Sequence, residues 1–194
     1  MTQVFGEDGT VSPVTVIAAG PCKVTALRNP ERDGYSAVQL AFEEVPERKL
    51  TKAALGHLKK AGAAPSRTLA EFRDPDMEFQ VGEDVTVEAF EPGQRVKVSA
   101  TAIGKGFQGT IRRHNFSRGP VTHGSHNVRA PGSIGASADP ARVFKGMRMP
   151  GRMGGKRVTQ RGLEVVDVDS ENNLLLIRGS VPGPRNGTVE VRSD

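Results

Sequence analysis

Apolar and polar residues alternate along several short runs in the first hundred residues, which is the pattern of half-buried β-strands. The clearest runs are VTVIAA at 14–19, KVTALR at 23–28 and YSAVQLAF at 35–42. One segment, TKAALGHLKKAG, has helical spacing instead, with Thr51 as its predicted N-cap and Gly62 at its end. Leu55 and Leu58 would then face the interior. This part of the chain is therefore predicted to be β structure with one short helix.

The same alternation recurs in two further regions, 84–103 and 163–193, which lie before and after the middle of the chain. DVTVEAF at 84–90 and RVKVSATAI at 95–103 flank the turn EPGQ and predict a hairpin. Further strands are predicted at LEVVDVD (163–169) and NLLLIRG (173–179), which flank SENN, and at TVEVRS (188–193). The acidic stretches FEEVPER (42–48) and EFRDPD (71–76) are predicted to be solvated loops. Many short strands at close spacing favour a barrel or a sandwich, built from both ends of the chain.

The segment 104–157 shows neither period and contains eleven glycines. A compact domain rarely contains so long a stretch without regular structure, so the segment is either disordered in isolation or an arm shaped by a partner. Its apolar residues favour the arm, because a solvated linker has no use for them. They are Phe107, Ile111, Phe116, Val128, Ile134, Val143, Phe144, Met147, Met149 and Met153.

Charge divides the chain in the same way. The 194 residues carry a formal charge of +5, and the sequence pI is about 9.7. From 104 to 161, twelve lysines and arginines face one carboxylate, Asp139, so this stretch carries +11 and the remainder −6. Cations interleaved with apolar residues predict an arm that binds a polyanion.

Several classes of protein are disfavoured by composition. No run approaches the length of a membrane span, and the N-terminus MTQVFGEDG lacks the features of a secretion signal. Cys22 is the only cysteine, so an internal disulfide is impossible and a cysteine-based metal site is disfavoured. A cytosolic protein is expected.

Gly104, Gly106 and Gly109 have the G-x-G-x-x-G spacing of a dinucleotide-binding loop. That loop must open a helix, but Asn115 and the following Gly-Pro leave little room for a packed amphipathic one. No acidic residue lies about 20 positions onward to bind a ribose. A nicotinamide-dependent oxidoreductase therefore remains only an alternative, and the glycines are interpreted as allowing the backbone to approach phosphates closely.

The arm offers little for metal binding or catalysis. His123 and His126 are three residues apart, but no Cys, Asp or Glu lies nearby to complete a zinc site. Imidazoles that bond phosphates or stack on bases are favoured instead. With one carboxylate and no recognisable nucleophile setting, no catalytic residue is assigned, and no metal, cofactor or small-molecule substrate is expected.

The stretches GKGFQGTIRRHNF, THGSHNVRAPGSIGASADPARVFKGMRMPGRMGGKRVT and NLLLIRGSVPGP closely resemble the bacterial form of the universal large-subunit ribosomal protein numbered three. The likeness covers nearly the whole chain. The resemblance implies a globular β-barrel domain and a long looped extension that penetrates the large ribosomal RNA towards the peptidyl-transferase centre. It also implies a part in early subunit assembly.

Two departures from the family pattern have consequences. Family members usually begin with a further short segment ending in Gly-Met-Thr-Gln, whereas this chain starts at Met1, so a barrel strand is expected to be incomplete. Some members carry a methylated glutamine in the loop that corresponds to PGRMGG, where this chain has Arg152. That modification does not transfer, and Arg152 is expected near the tip of the arm, bound to phosphate.

Together these observations predict a mainly β protein with one short helix, in which 1–103 plus 158–194 form the globular β-barrel domain and 104–157 form a long irregular RNA-penetrating extension. The expected partners are large-subunit ribosomal RNA and neighbouring large-subunit proteins, within the cytoplasmic ribosome. A regulatory RNA-binding protein outside the ribosome is a second alternative. The predicted RNA-binding residues are Lys105, Arg112, Arg113, His114, Arg118, His123, His126, Arg129, Arg142, Lys145, Arg148, Arg152, Lys156 and Arg157.

Overall fold

A computed structural model of the chain describes residues 1–73 and 78–194. Within them the strands are β1 (Thr2–Phe5), β2 (Val11–Ala18), β3 (Cys22–Arg28), β4 (Ala37–Glu44), β5 (Ser66–Arg73), β6 (Asp84–Val85), β7 (Arg95–Thr101), β8 (Phe107–Gln108), β9 (Gly151–Arg152), β10 (Arg157–Asp169), β11 (Leu174–Arg178) and β12 (Val189–Ser193). The α-helices are α1 (Pro30–Asp33), α2 (Lys52–Lys60) and α3 (Thr110–His114).

The strands form two sheets and a small ribbon. One sheet has the order β1-β2-β11-β10-β7-β12, the second has the order β5-β4-β3-β6, and β8 pairs with β9 alone. The prediction of a mainly β fold is confirmed. Neither sheet closes on itself in the described residues, so a barrel is not shown and stays a prediction.

The six-stranded sheet is centred on the antiparallel pair β10 and β11, which contains the strands predicted at 163–169 and 173–179, and Val165 lies opposite Ile177. β11 pairs on its other side with β2, so that Leu175 faces Ile17. Val165, Leu175 and Ile177 are fully buried. Burying an aliphatic side chain of this size stabilises a fold by about 1.5–3 kcal/mol, which fixes the register of the hairpin.

Helix α2 forms as predicted. The Thr51 hydroxyl accepts a hydrogen bond from the Ala54 amide at 3.4 Å, which caps the first turn. Ala61 ends the helix, and Gly62 follows with φ +67°, a conformation that favours glycine. Leu58 is 1% exposed and packs among Ala41, Ala61, Ala63 and Leu50, whereas Leu55 is half-buried.

The predicted hairpin around EPGQ is wrong. Only Asp84–Val85 forms a strand in its first half, and that strand pairs with β3 instead of β7. The chain then turns through a short 3-10 helix at Val87–Ala89, because the completely buried Val87 is directed into the interior. The EPGQ turn bonds to β10, since the Gly93 amide donates to the Val165 carbonyl at 2.7 Å.

The two acidic stretches are only partly loops. In FEEVPER, Phe42 to Glu44 complete β4, and a 3-10 turn begins at Glu47. In EFRDPD, residues 71–73 belong to β5, where Glu71 pairs with Gln39 and Arg73 with Ala37. Residues 74–76 of that stretch lie outside the described part of the chain. Strand β5 was not predicted, and it forms because its neighbour β4 supplies an antiparallel partner along its length.

The described chain divides into two compact units. The first comprises Met1–Val98, Gln160–Val181 and Glu190–Asp194, and the second comprises Ser99–Thr159 and Pro182–Val189. The first contains most of both sheets, and the second contains the whole segment 104–157. The assignment of 1–103 plus 158–194 and of 104–157 as separate domains stays a prediction.

Candidate nucleic-acid interface

The two ends of the segment 104–157 run side by side and are fixed by backbone hydrogen bonds. The Ala102 amide donates to the Lys156 carbonyl, the Gly155 amide to Ala102, the Lys105 amide to Met153 and the Met153 amide to Gly106, all at 2.9 Å. β8 and β9 extend this pairing, with Phe107 opposite Arg152 and Gln108 opposite Gly151. We call residues 102–108 and 151–156 the stem. Arg152 therefore lies within this paired stem and not near the tip of the arm, which corrects the expectation from the sequence.

One glycine is required by the close approach of the two stem segments. Gly154 has φ +69°, and a Cβ placed on it would overlap the carbonyl oxygen of Ile103. Any other residue would both strain the backbone and push the segments apart.

Helix α3 follows the first stem segment, and two of its side chains bond Met149, which lies just before the second stem segment. It starts after Gly109 and ends at Asn115, whose φ of 58° is left-handed. The Arg113 guanidinium donates to the Met149 carbonyl at 2.7 Å, and His114 Nε2 donates to the same oxygen at 3.1 Å. Both side chains are half-buried. These two hydrogen bonds hold helix α3 against the segment around Met149.

The ribbon of β8 and β9 has two different faces. Directly opposed residues of an antiparallel pair place their side chains on the same face. On one face, Gly151 is buried, and a Cβ there would lie 2.5 Å from Nη1 of Arg113. On the other face, Phe107 is 78% exposed and Arg152 is also exposed. An aromatic ring and a guanidinium are thus presented together to solvent.

Most of the predicted RNA-binding residues are exposed cations or imidazoles of the second unit. None of them has a carboxylate partner among the described residues, Arg157 being left out of this comparison. Arg113 and His114 bond the Met149 carbonyl instead. In the first unit, by contrast, Lys23 pairs with Asp84 at 3.1 Å and Arg178 with Glu164 at 3.0 Å. The exposed set comprises Lys105, Arg112, Arg118, His123, His126, Arg129, Arg142, Lys145, Arg148, Arg152 and Lys156. The positive charge of the lysines and arginines in this set is therefore not neutralised by a carboxylate within the described residues.

The glycine loop does not have the geometry of a dinucleotide site. β7 ends at Thr101, and the short strand β8 stands between Gly106 and Gly109. Helix α3 has five residues, too few for the extended helix that faces a pyrophosphate in such sites. Gly104 and Gly106 instead serve the stem, where Gly106 adopts φ +65° and its carbonyl accepts from Met153.

Residues 1–73 and 78–194 contain no cluster of three or more His, Cys, Asp or Glu side chains placed to hold a metal ion. No helix in the same ranges is long and apolar enough to cross a membrane.

Sequence reasoning missed one cation and one pairing of this surface. Arg185 is exposed on Pro182–Val189, which belongs to the second unit although it lies far along the chain. Its position in the Gly/Pro-rich loop SVPGPRNG was the available indication. The pairing of Phe107 with Arg152 was not predictable, because two-residue strands have no recognisable period.

A mainly β protein with a glycine-rich segment, whose exposed lysines and arginines lack carboxylate partners in the described part of the chain, has the features of the class that binds a polyanion. Comparison with known proteins makes this specific. Residues 68–173 match the family described as Ribosomal protein L3. The chain belongs to this family.

Relatives with this family name match almost the whole chain, and each is a large ribosomal subunit protein uL3. The protein of Acidothermus cellulolyticus is 56% identical over 100% of this chain and 88% of its own length. That of Natranaerobius thermophilus is 54% identical over 98% of this chain and 91% of its own length. That of a Synechococcus species is 53% identical, with coverages of 98% and 90%.

Proposed function

We propose that this chain is a structural constituent of the large ribosomal subunit and that its arm, residues 104–157, binds large-subunit ribosomal RNA. The observation that supports this most strongly is the set of exposed lysines and arginines on the arm that have no carboxylate partner within residues 1–73 and 78–194. Ribosomal RNA is a polyanion with irregular, crowded helices, and such an arm neutralises phosphates where they approach one another. The relatives' shared name supports the same subunit.

The finer parts of the proposal come from the family resemblance. The globular part, as a barrel, docks near the outside of the subunit and contacts neighbouring proteins there. The arm extends towards the peptidyl-transferase centre, with Arg152 in its stem bound to phosphate, and its binding supports early assembly. The protein acts in the cytoplasmic ribosome and catalyses no reaction.

The predicted RNA-binding residues divide into two groups in this proposal. The exposed cations and imidazoles contact phosphates or bases directly. Arg113 and His114 act indirectly, because their donors already bond the Met149 carbonyl and hold the arm in the shape that the RNA recognises.

Co-sedimentation tests the ribosomal assignment. The tagged chain, expressed in the bacterial cells from which ribosomes are prepared, is expected to migrate with large subunits through a high-salt sucrose gradient, because an arm embedded in RNA resists washing. A regulator outside the ribosome would bind RNA but leave the subunit in high salt, and that result would contradict the proposal.

The oxidoreductase alternative has its own discriminating measurement. A nicotinamide cofactor that bound the folded chain would raise its melting temperature saturably, since a ligand of the native state stabilises that state. We expect no shift with the cofactor.

A further inference from the structure

Phe107 is the most exposed large apolar side chain in the described part of this protein, at 78%. A singly exposed ring is ordinary on a protein surface, as at Phe5, but Phe107 differs because it lies on a hydrogen-bonded ribbon beside a guanidinium in the basic segment. The stem fixes the ring's backbone through the bonds from Lys105 to Met153 and from Met153 to Gly106. The ring is therefore presented in a defined place before any partner arrives.

The neighbours of Phe107 define the chemistry of that partner. Arg152 lies directly across the ribbon, so its Cβ is about 5 Å from that of Phe107 and on the same face. The surrounding stretch from 104 to 161 carries a formal charge of +11. A flat apolar surface beside a guanidinium matches a nucleotide, whose base stacks on the ring while its phosphate bonds the cation.

We propose that Phe107 stacks on one unpaired base of the RNA, with Arg152 bound to a phosphate of the same strand. This inference rests on the proposed function and specifies its chemistry, since a ring can stack only on a base whose face is open. A base within a continuous duplex is already stacked on both sides. The ribbon is thus a reader of single-stranded or bulged RNA, whereas the scattered cations bind phosphates of either form.

Binding of the full-length chain to two labelled RNAs tests the proposal. One probe is an oligoadenylate of about ten nucleotides and the other an RNA duplex of similar length, matched to the site size of typical single-strand platforms. Phe107→Ala is expected to weaken oligoadenylate binding about tenfold, because loss of one stacked base has an effect of this order. Duplex binding should change less than about twofold, because phosphate contacts dominate it.

Three variants control the interpretation. Phe107→Trp keeps an aromatic face and should bind oligoadenylate like the parent, whereas Phe107→Leu keeps only apolar character and should bind like the alanine variant. Phe5→Ala removes a comparably exposed phenyl ring (71%) from the first unit and should have no effect. In salt titrations Arg152→Gln should lower the slope for oligoadenylate by about 0.7, whereas Phe107→Ala should leave it unchanged.

The outcomes separate this inference from the function on which it rests. Equal losses on both probes, no loss on either, or full binding by Phe107→Leu would reject stacking while leaving RNA binding intact. A parent chain that bound neither probe would reject the proposed function and the stacking together.

Discussion

At the residue scale, one polar cluster of the four-stranded sheet concentrates several bonds on a single carboxylate. Glu71 accepts hydrogen bonds from the Tyr35 hydroxyl at 2.9 Å, from Nη2 of Arg28 at 3.1 Å and from the Gln39 amide at 3.2 Å. The Tyr35 bond, together with Arg28 and Gln39, holds the pKa of Glu71 below its ordinary value of 4.5, against the opposing effect of burial. The ionised carboxylate is therefore favoured in the folded state.

This pKa makes a prediction about stability in acid. A carboxyl group whose folded pKa is depressed contributes stability that is complete above its ordinary pKa and is lost as the pH falls through the folded value. Glu71→Gln removes the charge and is expected to lower the free energy of unfolding by about 1 kcal/mol at neutral pH. The difference should shrink progressively below pH 4.5. Urea unfolding of the parent and of Glu71→Gln, from neutral pH to below pH 4.5, measures this difference in the free energy of unfolding.

Glu164→Gln is the matched control for the Glu71 experiment. Glu164 makes one exposed ion pair with Arg178, at 3.0 Å, and such pairs contribute little. A destabilisation equal to that of Glu71→Gln, or a Glu71→Gln effect independent of pH, would contradict the role given to the cluster.

A second residue-scale prediction concerns the stem. Gly154→Ala should open it, because the added methyl overlaps the Ile103 carbonyl oxygen, whereas Gly124→Ala has the same φ of +69° with open space around it. Both variants carry the left-handed strain of about 1 kcal/mol, and only the first adds steric overlap. Hydrogen exchange at the Lys105, Met153 and Gly155 amides should accelerate at least about tenfold more in Gly154→Ala. Equal exchange in the two variants would show that the stem does not depend on this contact.

At the element scale, helix α2 is anchored by one side chain. Leu58→Ala should lower the free energy of unfolding by about 2–5 kcal/mol, because Leu58 is 1% exposed and the surrounding alanines cannot fill the space left behind. Leu69→Ala, at a position 39% exposed on β5, should cost distinctly less. Thermal or urea unfolding compares the two. A Leu58 variant no less stable than the Leu69 variant would place the helix outside the core.

The elements that the sequence predicted are those whose pattern is local. The strands predicted at 163–169 and 173–179, found in β10 and β11, and the capped helix α2 each have several residues in one period and a turn or cap at the end. The hairpin around EPGQ failed because β6 pairs with the distant strand β3, and no local pattern reports such a partner. β5 was partly missed because its strand character depends on pairing with β4.

The interface was predictable in composition and not in detail. The density of lysine and arginine, opposed by Asp139 alone, predicted a polyanion-binding arm, since charge is visible in sequence alone, and that role stays a prediction. The sequence could not distinguish Arg113, which donates to the Met149 carbonyl, from Arg112, whose side chain is exposed. That distinction depends on the folding of the chain, which brings Met149 next to Arg113 although they are 36 residues apart in sequence.

At the scale of the whole molecule, the proposed binding of RNA by the arm depends on the unequal distribution of charge along the chain. The stretch 104–161 carries +11 and the remainder −6, so the total of +5 understates the attraction of the arm for RNA. If about 6–10 cations contact phosphates, the slope of log affinity against log salt should lie between about −5 and −9 for helical RNA treated as B-DNA. If net charge alone determined the affinity for RNA, removal of any lysine or arginine would weaken binding equally, wherever it lies in the chain.

The most direct test compares two full-length variants of identical net charge in salt titrations with large-subunit ribosomal RNA. One replaces Lys105, Arg129, Lys145 and Lys156 of the arm with glutamine, and the other replaces Arg48, Lys49, Lys52 and Lys60 of the first unit, all of them exposed. The arm variant is expected to lose about 3–4 from the magnitude of the slope, because four released counterions are missing, and the control variant should keep the parent slope. Equal slopes for the two variants would contradict the claim that the arm binds the RNA.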